Sequence, residues 1–291
     1  MALPSSGPLT LSQIQGEFGG SNPISMSEYY RGGAFVGNNN TTVPTSGAIS
    51  ISNFYGTVKR VFIPLTISSS TYNYDVYANR GGTYIAGISD IQVTVNGGVI
   101  VGSTSTGAYA MTVNNSFNAG DTVTIINNGV IEGMGGNGGD SQFAAQSGGN
   151  PGTNAGNALY INRATTIQNN SVIAGGGGGG GGGSGWTPSK GGSGWGGGGG
   201  GGAGFNPGSG GGGGYPGSNG TDSAGGAGNP GDFQGIAGGT GGGRGANGAT
   251  GGASGGANPR PGGAGGAAGY YIVGGGFVTW TATGTRQGPA A

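Results

Sequence analysis

Thr124-Ile-Ile-Asn-Asn-Gly-Val-Ile-Glu-Gly133 recurs 42 residues later as Thr166-Ile-Gln-Asn-Asn-Ser-Val-Ile-Ala-Gly175, and Thr94–Gly102 is a shorter relative of both. Each copy joins an apolar run to a polar turn and a second short apolar run. The two full copies then enter glycine, as Gly133-Met-Gly-Gly-Asn-Gly-Gly139 and as the unbroken run Gly175–Gly183. From 175 to 276, 53 of 102 positions are Gly. That stretch has too few side chains for a hydrophobic core, so it is either a solvated linker or a fold held by backbone alone.

The spacing of the glycines argues for a fold. Gly239, Gly242, Gly245, Gly248 and Gly251 keep a three-residue register, as do Gly225, Gly228 and Gly231, then Gly235, Gly238 and Gly241, and finally Gly263, Gly266 and Gly269. Three residues per turn is the polyproline II period. Glycine on one face lets such helices touch and exchange backbone hydrogen bonds. Collagen shares the period but needs an unbroken register and far more proline than 13 in 291. Here the register resets at Trp186-Thr-Pro-Ser-Lys190, Phe205-Asn-Pro207, Tyr215-Pro-Gly-Ser-Asn219, Asn229-Pro-Gly-Asp-Phe233 and Asn258-Pro-Arg-Pro261, each of which predicts a chain reversal. The expectation over 133–276 is a bundle of polyglycine II helices with loops at its ends.

Upstream, residues 59–132 have strand composition. Val61, Ile63, Leu65 and Ile67 alternate with other residues, as do Tyr72, Tyr74 and Val76. Val93-Thr-Val95, Asn96-Gly97-Gly98 and Val99-Ile-Val101 read as a hairpin. Short strands at this spacing predict a small antiparallel β sandwich. Residues 277–291 form a closing strand and tail. Tyr270–Trp280 reads as a hairpin that closes the bundle or pairs onto the 165–173 strand.

Residues 1–58 read as a separate module holding the chain's short helices. Thr10 and Gln13 make a capping box, and Leu11, Ile14 and Phe18 share one helical face. Ile24-Ser-Met-Ser-Glu-Tyr-Tyr30 recurs as Ile49-Ser-Ile-Ser-Asn-Phe-Tyr55, each with an aromatic pair, Tyr29 with Tyr30 and Phe54 with Tyr55. This is either a docking module or an ordinary capping subdomain. The fold class expected is therefore mainly β and irregular: an antiparallel sandwich, a polyglycine II bundle, and short helices only near the N-terminus.

The composition excludes much chemistry. Charged residues are 6% of the chain, nine of each sign, and Cys and His are absent. No net field collects nucleic acid or anionic membrane, and no Ser-His or Cys-His mechanism can be built. No disulfide or usual zinc site is expected, and no cofactor. The longest apolar runs, Ala108–Met111 and Tyr270–Val273, are too short to span a bilayer. Met1–Pro8 does not read as a signal peptide, so synthesis in a host cytoplasm is expected. Glu132 with Asp140, and Asp75 with Asp90, give no reason to pair as glycosidase carboxylates.

The order of a strand, Val130-Ile-Glu-Gly-Met-Gly-Gly-Asn-Gly-Gly139 and broken glycine triplets resembles the glycine-rich receptor-recognising adhesins at tailed-bacteriophage fibre tips. Leu11–Phe18, Ile24–Tyr30 and Ile49–Gly56 are similar to modules opening many phage tail proteins. The resemblance implies a non-enzymatic virion protein, mounted on other tail or baseplate proteins, whose loops touch a bacterial outer-surface receptor, protein or glycan. It also implies a homotrimer or a trimeric mount. Receptor-binding candidates are then Trp186, Lys190, Trp195, Phe205, Asn206, Tyr215, Asn219, Asp222, Asp232, Phe233 and Arg260. Attachment candidates are Leu11, Ile14, Phe18, Tyr29, Tyr30, Phe54 and Tyr55. A structural baseplate or tail-tip spike without receptor contact is the alternative.

Overall fold

The computed structural model describes residues 2–143, 148–185, 194–232, 236–255 and 259–291. Trp186, Lys190 and Phe233 lie outside the described residues. The chain divides into two compact units. One is the chain up to Ile63 with Gly82–Asp90 and Asn118–Asp121; the other is Pro64–Gly81, Ile91–Phe117 and Thr122–Ala291.

The strands are β1 (Val61–Ile67), β2 (Thr71–Tyr72), β3 (Tyr74–Asp75), β4 (Ser89–Val95), β5 (Ile100–Gly102), β6 (Tyr109–Val113) and β7 (Thr122–Asn127). They continue as β8 (Val130–Glu132), β9 (Asn157–Ile161), β10 (Thr165–Asn169), β11 (Val172–Ala174), β12 (Ile272–Val273), β13 (Val278–Ala282) and β14 (Thr285–Gln287). They form three sheets, ordered β1-β4-β7-β10-β13, β14-β11-β8-β5-β2 and β12-β9-β6-β3. Every third strand returns to the same sheet, and neighbours run parallel. This is a three-sided parallel solenoid.

The expected antiparallel sandwich is thus corrected. The Asn96-Gly97-Gly98 turn, expected to close a hairpin, is a corner that passes the chain from β4 in one sheet to β5 in the next. Tyr270–Trp280 is likewise no hairpin: β12 and β13 belong to different sheets, and β13 lies parallel on β10. Short helices are not confined to the N-terminus either, because a 3-10 turn spans Gly275–Phe277.

The 42-residue repeat is the register of this solenoid. Thr166 pairs with Thr124, Ile167 with Ile125 and Ile173 with Ile131, so like stacks on like. Val101, Ile131 and Ile173 form one fully buried column and Met111, Leu159 and Ile272 another. At a corner the buried Asn127 donates from Nδ2 to Asn169 Oδ1 at 2.8 Å, and Asn169 donates onward to the Thr283 carbonyl at 2.9 Å. Each amide in this ladder satisfies the next, which is why Asn can sit there without exposing a polar group to a dry interior.

Glycine enters at one corner, between the second and third strands of each coil. There the first coil has Asn73 alone and the second has 103–108. The third has 133–156 and the fourth 175–271. These two insertions fold against each other as ten extended stretches among the described residues: 133–143, 148–156, 175–185, 194–204, 206–212, 215–221, 224–231, 236–243, 245–254 and 259–271.

Hydrogen bonding repeats every third residue. In 175–185 the N–H groups of Gly176, Gly179 and Gly182 donate to 150–156, those of Gly177, Gly180 and Gly183 to 197–203, and those of Gly178, Gly181 and Ser184 to 246–252. Its carbonyls accept from 136–142, 239–242 and 263–269. Stretch 194–204 is surrounded in the same way. Two inner stretches with six neighbours each place the ten in tiers of three, four and three. Only glycine tolerates such contact: a Cβ on Gly180 would stand 2.1 Å from the Gly239 carbonyl oxygen.

In the first unit, helix α1 (Leu11–Phe18) and 3-10 turns at Met26–Tyr29 and Ile51–Phe54 surround a core of Ile14, Phe18, Tyr29, Val36, Val43 and Phe54, all fully buried. The two sequence repeats are the two 3-10 turns.

Candidate functional site

Each glycine stretch has an end rooted at the solenoid corner and an end far from it. Stretch 133–143 leaves β8 outward and 148–156 returns to β9, which sorts the remaining turns into near and far. The candidates expected to act together divide between these ends.

Trp195, Tyr215, Asp232 and Arg260 are at the far end. Trp195 is half-buried and its backbone is clasped by Asp232: the Trp195 main-chain N–H donates to Oδ2 at 2.9 Å, and the Asp232 main-chain N–H donates back to the Trp195 carbonyl at 3.3 Å. The indole lies flat on Gly214, where a Cβ would stand 2.4 Å from Trp195 Cγ. Beside it, Phe143 packs with ring centroids 5.1 Å apart. Phe143 is 49% exposed and Tyr215 39%, so both present aromatic surface at this end. Arg260 is exposed, with its N–H donating to Ser254 Oγ at 2.9 Å.

Phe205, Asn206 and Asp222 are at the near end. Phe205 stacks on Tyr72 at 5.0 Å, and Asn206 Nδ2 donates to the Thr104 carbonyl at 3.4 Å. Asp222 approaches Arg244 at 3.6 Å, and Arg244 is paired through Nε with the fully buried Glu132 at 2.5 Å. Burial pushes the Glu132 carboxyl up to about 7, against the opposing pull of the Arg244 charge. Asn219 lies within a stretch and accepts the Gly210 N–H at 2.9 Å.

Phe143 was missed by sequence reasoning. It ends the first glycine stretch as Trp195 begins another, so the signal was the same break in glycine that exposed the other loops. Phe62 was also missed. It is 61% exposed and lies between two hollows of about 470 and 440 Å³ in the first unit, which share Lys59 and Arg60 in their linings. Among the attachment candidates, Ile14, Phe18, Tyr29 and Phe54 are wholly buried in that unit's core, while Leu11, Tyr30 and Tyr55 reach its surface.

The arrangement is a backbone hydrogen-bonded lattice carrying exposed aromatic residues at the end remote from its root. Residues 62–291 match the model of the family described as phage tail fibre adhesin Gp38. The chain belongs to that family, and is a receptor-binding tail-fibre protein of a bacteriophage. A solved structure, described as the gp37-gp38 adhesin tip complex of the bacteriophage S16 long tail fiber, is similar in fold: TM-score 0.52, 23% identity, covering 99% of this chain and 100% of that one. The curated proteins contain no match. Among the described residues no helix is long and apolar enough to cross a membrane.

Proposed function

We propose that the far end of the glycine lattice holds the receptor-contact surface, centred on Phe143, Trp195 and Tyr215 with Asp232 as the brace beneath, and that the chain acts without catalysis. The carrying observation is the exposed Phe143 packed on a Trp195 indole that lies against Gly214, with the Trp195 backbone held by Asp232 and Tyr215 exposed at the same end. Aromatic groups held rigid lose little entropy on contact, which is what makes them dominant in recognition. Arg260, exposed at the same end, joins this surface.

The ten stretches are read here as polyglycine II helices. The support is that N–H groups of successive residues address three different neighbours and repeat every third residue. The first unit is read as the mount on another tail-fibre protein, as gp38 is in complex with gp37 in the S16 tip; a homotrimer or a trimeric mount belongs to the same reading.

The test is binding of the purified full chain to cells of its host, with residues 184–262 loop-swapped as the control. Saturable binding that disappears on the swap is expected. Trypsin shaving against periodate oxidation of the cells then separates a protein receptor from a glycan. Binding that survives the swap would place the receptor surface elsewhere.

A further inference from the structure

A lattice bonded at every third residue has a weakness that its hydrogen bonds cannot cure. Sliding one stretch along its axis by three residues brings each N–H opposite an equivalent carbonyl, so the bonds that hold a stretch do not fix its register. Stretch 175–185 escapes this because it leaves β11 directly, and the sheet holds Ala174. Stretch 194–204 has no strand at either end. Seven consecutive glycines, 196–202, form its middle, and their N–H groups address three neighbours in turn. Gly196, Gly199 and Gly202 donate to 136–142, Gly197 and Gly200 to 236–239, and Gly198 and Gly201 to 215–218. None of these bonds distinguishes one register from the next.

Side chains at the two ends of the run do distinguish them. A slide of one turn toward the root would carry Trp195 into the place of Gly198, where a Cβ would stand 2.3 Å from the Gly211 carbonyl oxygen. A slide of one turn outward would carry Ala203 into the place of Gly200, where a Cβ would stand 1.9 Å from the Gly226 carbonyl oxygen. The outward slide would also pull Phe205 from its seat. Its ring stacks on Tyr72 with centroids 5.0 Å apart and lies over Gly102 of β5, where a Cβ would stand 2.8 Å from Phe205 Cδ1. Glycine at 102 belongs to this seat and not to the sheet, because the residues in register with it along the row, Glu132 and Ala174, both carry side chains.

We infer that Phe205, with Ala203, is a positioning residue for Trp195: anchored on Gly102 and Tyr72 at the near end, it sets how far the indole stands out at the other end of the seven-glycine run. Phe205 thus serves the far end without touching what binds there. One turn of a polyproline II helix is about 9 Å long, so neighbouring registers separate an indole seated on Gly214 from one that has left it. The consequence for binding rests on the reading of the far end as the receptor surface; the anchoring is a matter of register alone.

The experiment reads the emission of Trp195 in the purified full chain, separated from the other two tryptophans by subtracting the spectrum of the matching Trp195→Phe variant. Ala203→Gly combined with Phe205→Gly removes the near-end stops. The expected result is a red-shifted, quencher-accessible Trp195 in a chain that still melts cooperatively, with host-cell binding weakened by roughly tenfold. Phe205→Tyr, with Ala203 in place, keeps the seat and should leave the emission as it was. Should the double variant fail to fold, Gly102→Ala, which intrudes on the ring from the solenoid, takes its place with the same expectation.

Glycines inserted between Gly199 and Gly200 test the register directly. Three added glycines preserve the phase of every bond and move Trp195 by one turn, so its emission should shift. One added glycine breaks the phase and should lower the melting temperature further than three do. Unchanged Trp195 emission in the double variant, or equal loss of stability from one and three glycines, would overturn the inference. Shifted emission with undiminished cell binding would leave the anchor standing and count against the far end as the receptor surface, so the two failures are distinguishable.

Discussion

Gly180 and Gly255 are the same residue type with opposite demands. Gly180 has a carbonyl oxygen 2.1 Å from where a Cβ would go, whereas Gly255 has nothing within 4 Å among the described residues. Gly180→Ala should force a central stretch away from its neighbours, costing about 1–3 kcal/mol of overpacking plus the bonds lost. Gly255→Ala should change stability by under about 0.5 kcal/mol. Thermal melts compare the two directly; equal effects would mean that the lattice is looser than its hydrogen bonds indicate. Glu132 offers a second test at this scale. Its folded value of about 7 stands above the ordinary 4.5, so between these the folded state holds more protons than the unfolded one. Stability should therefore be fullest below pH 4.5 and decline toward pH 7, by at most roughly 3 kcal/mol. Glu132→Gln should flatten that slope in denaturant titrations at several pH values. A slope that persists in the variant would assign it to another group.

At the scale of elements, the solenoid depends on its columns and the far end on its braces. Ile131→Ala would open a gap between Val101 and Ile173 and should cost about 2–5 kcal/mol. Chemical denaturation measures it, and a loss below about 1 kcal/mol would mean the coils slide to refill the space. Tyr215→Ala and Phe143→Ala remove exposed aromatic faces, so each should weaken cell binding by about 1–3 kcal/mol with an unchanged melting temperature. Asp232→Ala should act through Trp195, weakening binding by freeing the backbone that carries the indole. The strands were legible in alternation, and the helix α1 in its capping box. Their partnership was not, because an Asn-Gly turn is compatible both with a hairpin and with a solenoid corner. The 42-residue echo carried the parallel answer. It was masked because the preceding copy is 30 residues away, Ile100 pairing with Val130, and insertions of unequal length hide a constant coil.

For the whole molecule, the second coil turns the glycine-bearing corner with 103–108 alone. The lattice is thus an elaboration of a corner that the solenoid can close without it. Replacing 133–156 and 175–271 each by the sequence of 103–108 should leave a cooperatively melting β protein that no longer binds host cells. Retained binding by that miniature would remove the receptor surface from the glycine lattice.

Sequence alone determined that glycine at three-residue spacing needs backbone neighbours, since no other residue lets two chains approach so closely and half-glycine sequence has no other core. It also flagged the reversal at Phe205-Asn-Pro207, but not those at Asp222-Ser223 and Arg244, which carry no Pro or aromatic break. Which reversals share an end was decided only by tertiary structure: Phe205 and Asp222 fall beside the solenoid while Trp195 and Tyr215 fall far from it. The reason is that direction along a stretch alternates with each turn, and that alternation has no origin until the strands at 132 and 174 are placed in their sheet. The same holds for the first unit. Capping boxes are local and readable, but the bond from Tyr55 back to Gly7 exists only once the chain has closed on itself.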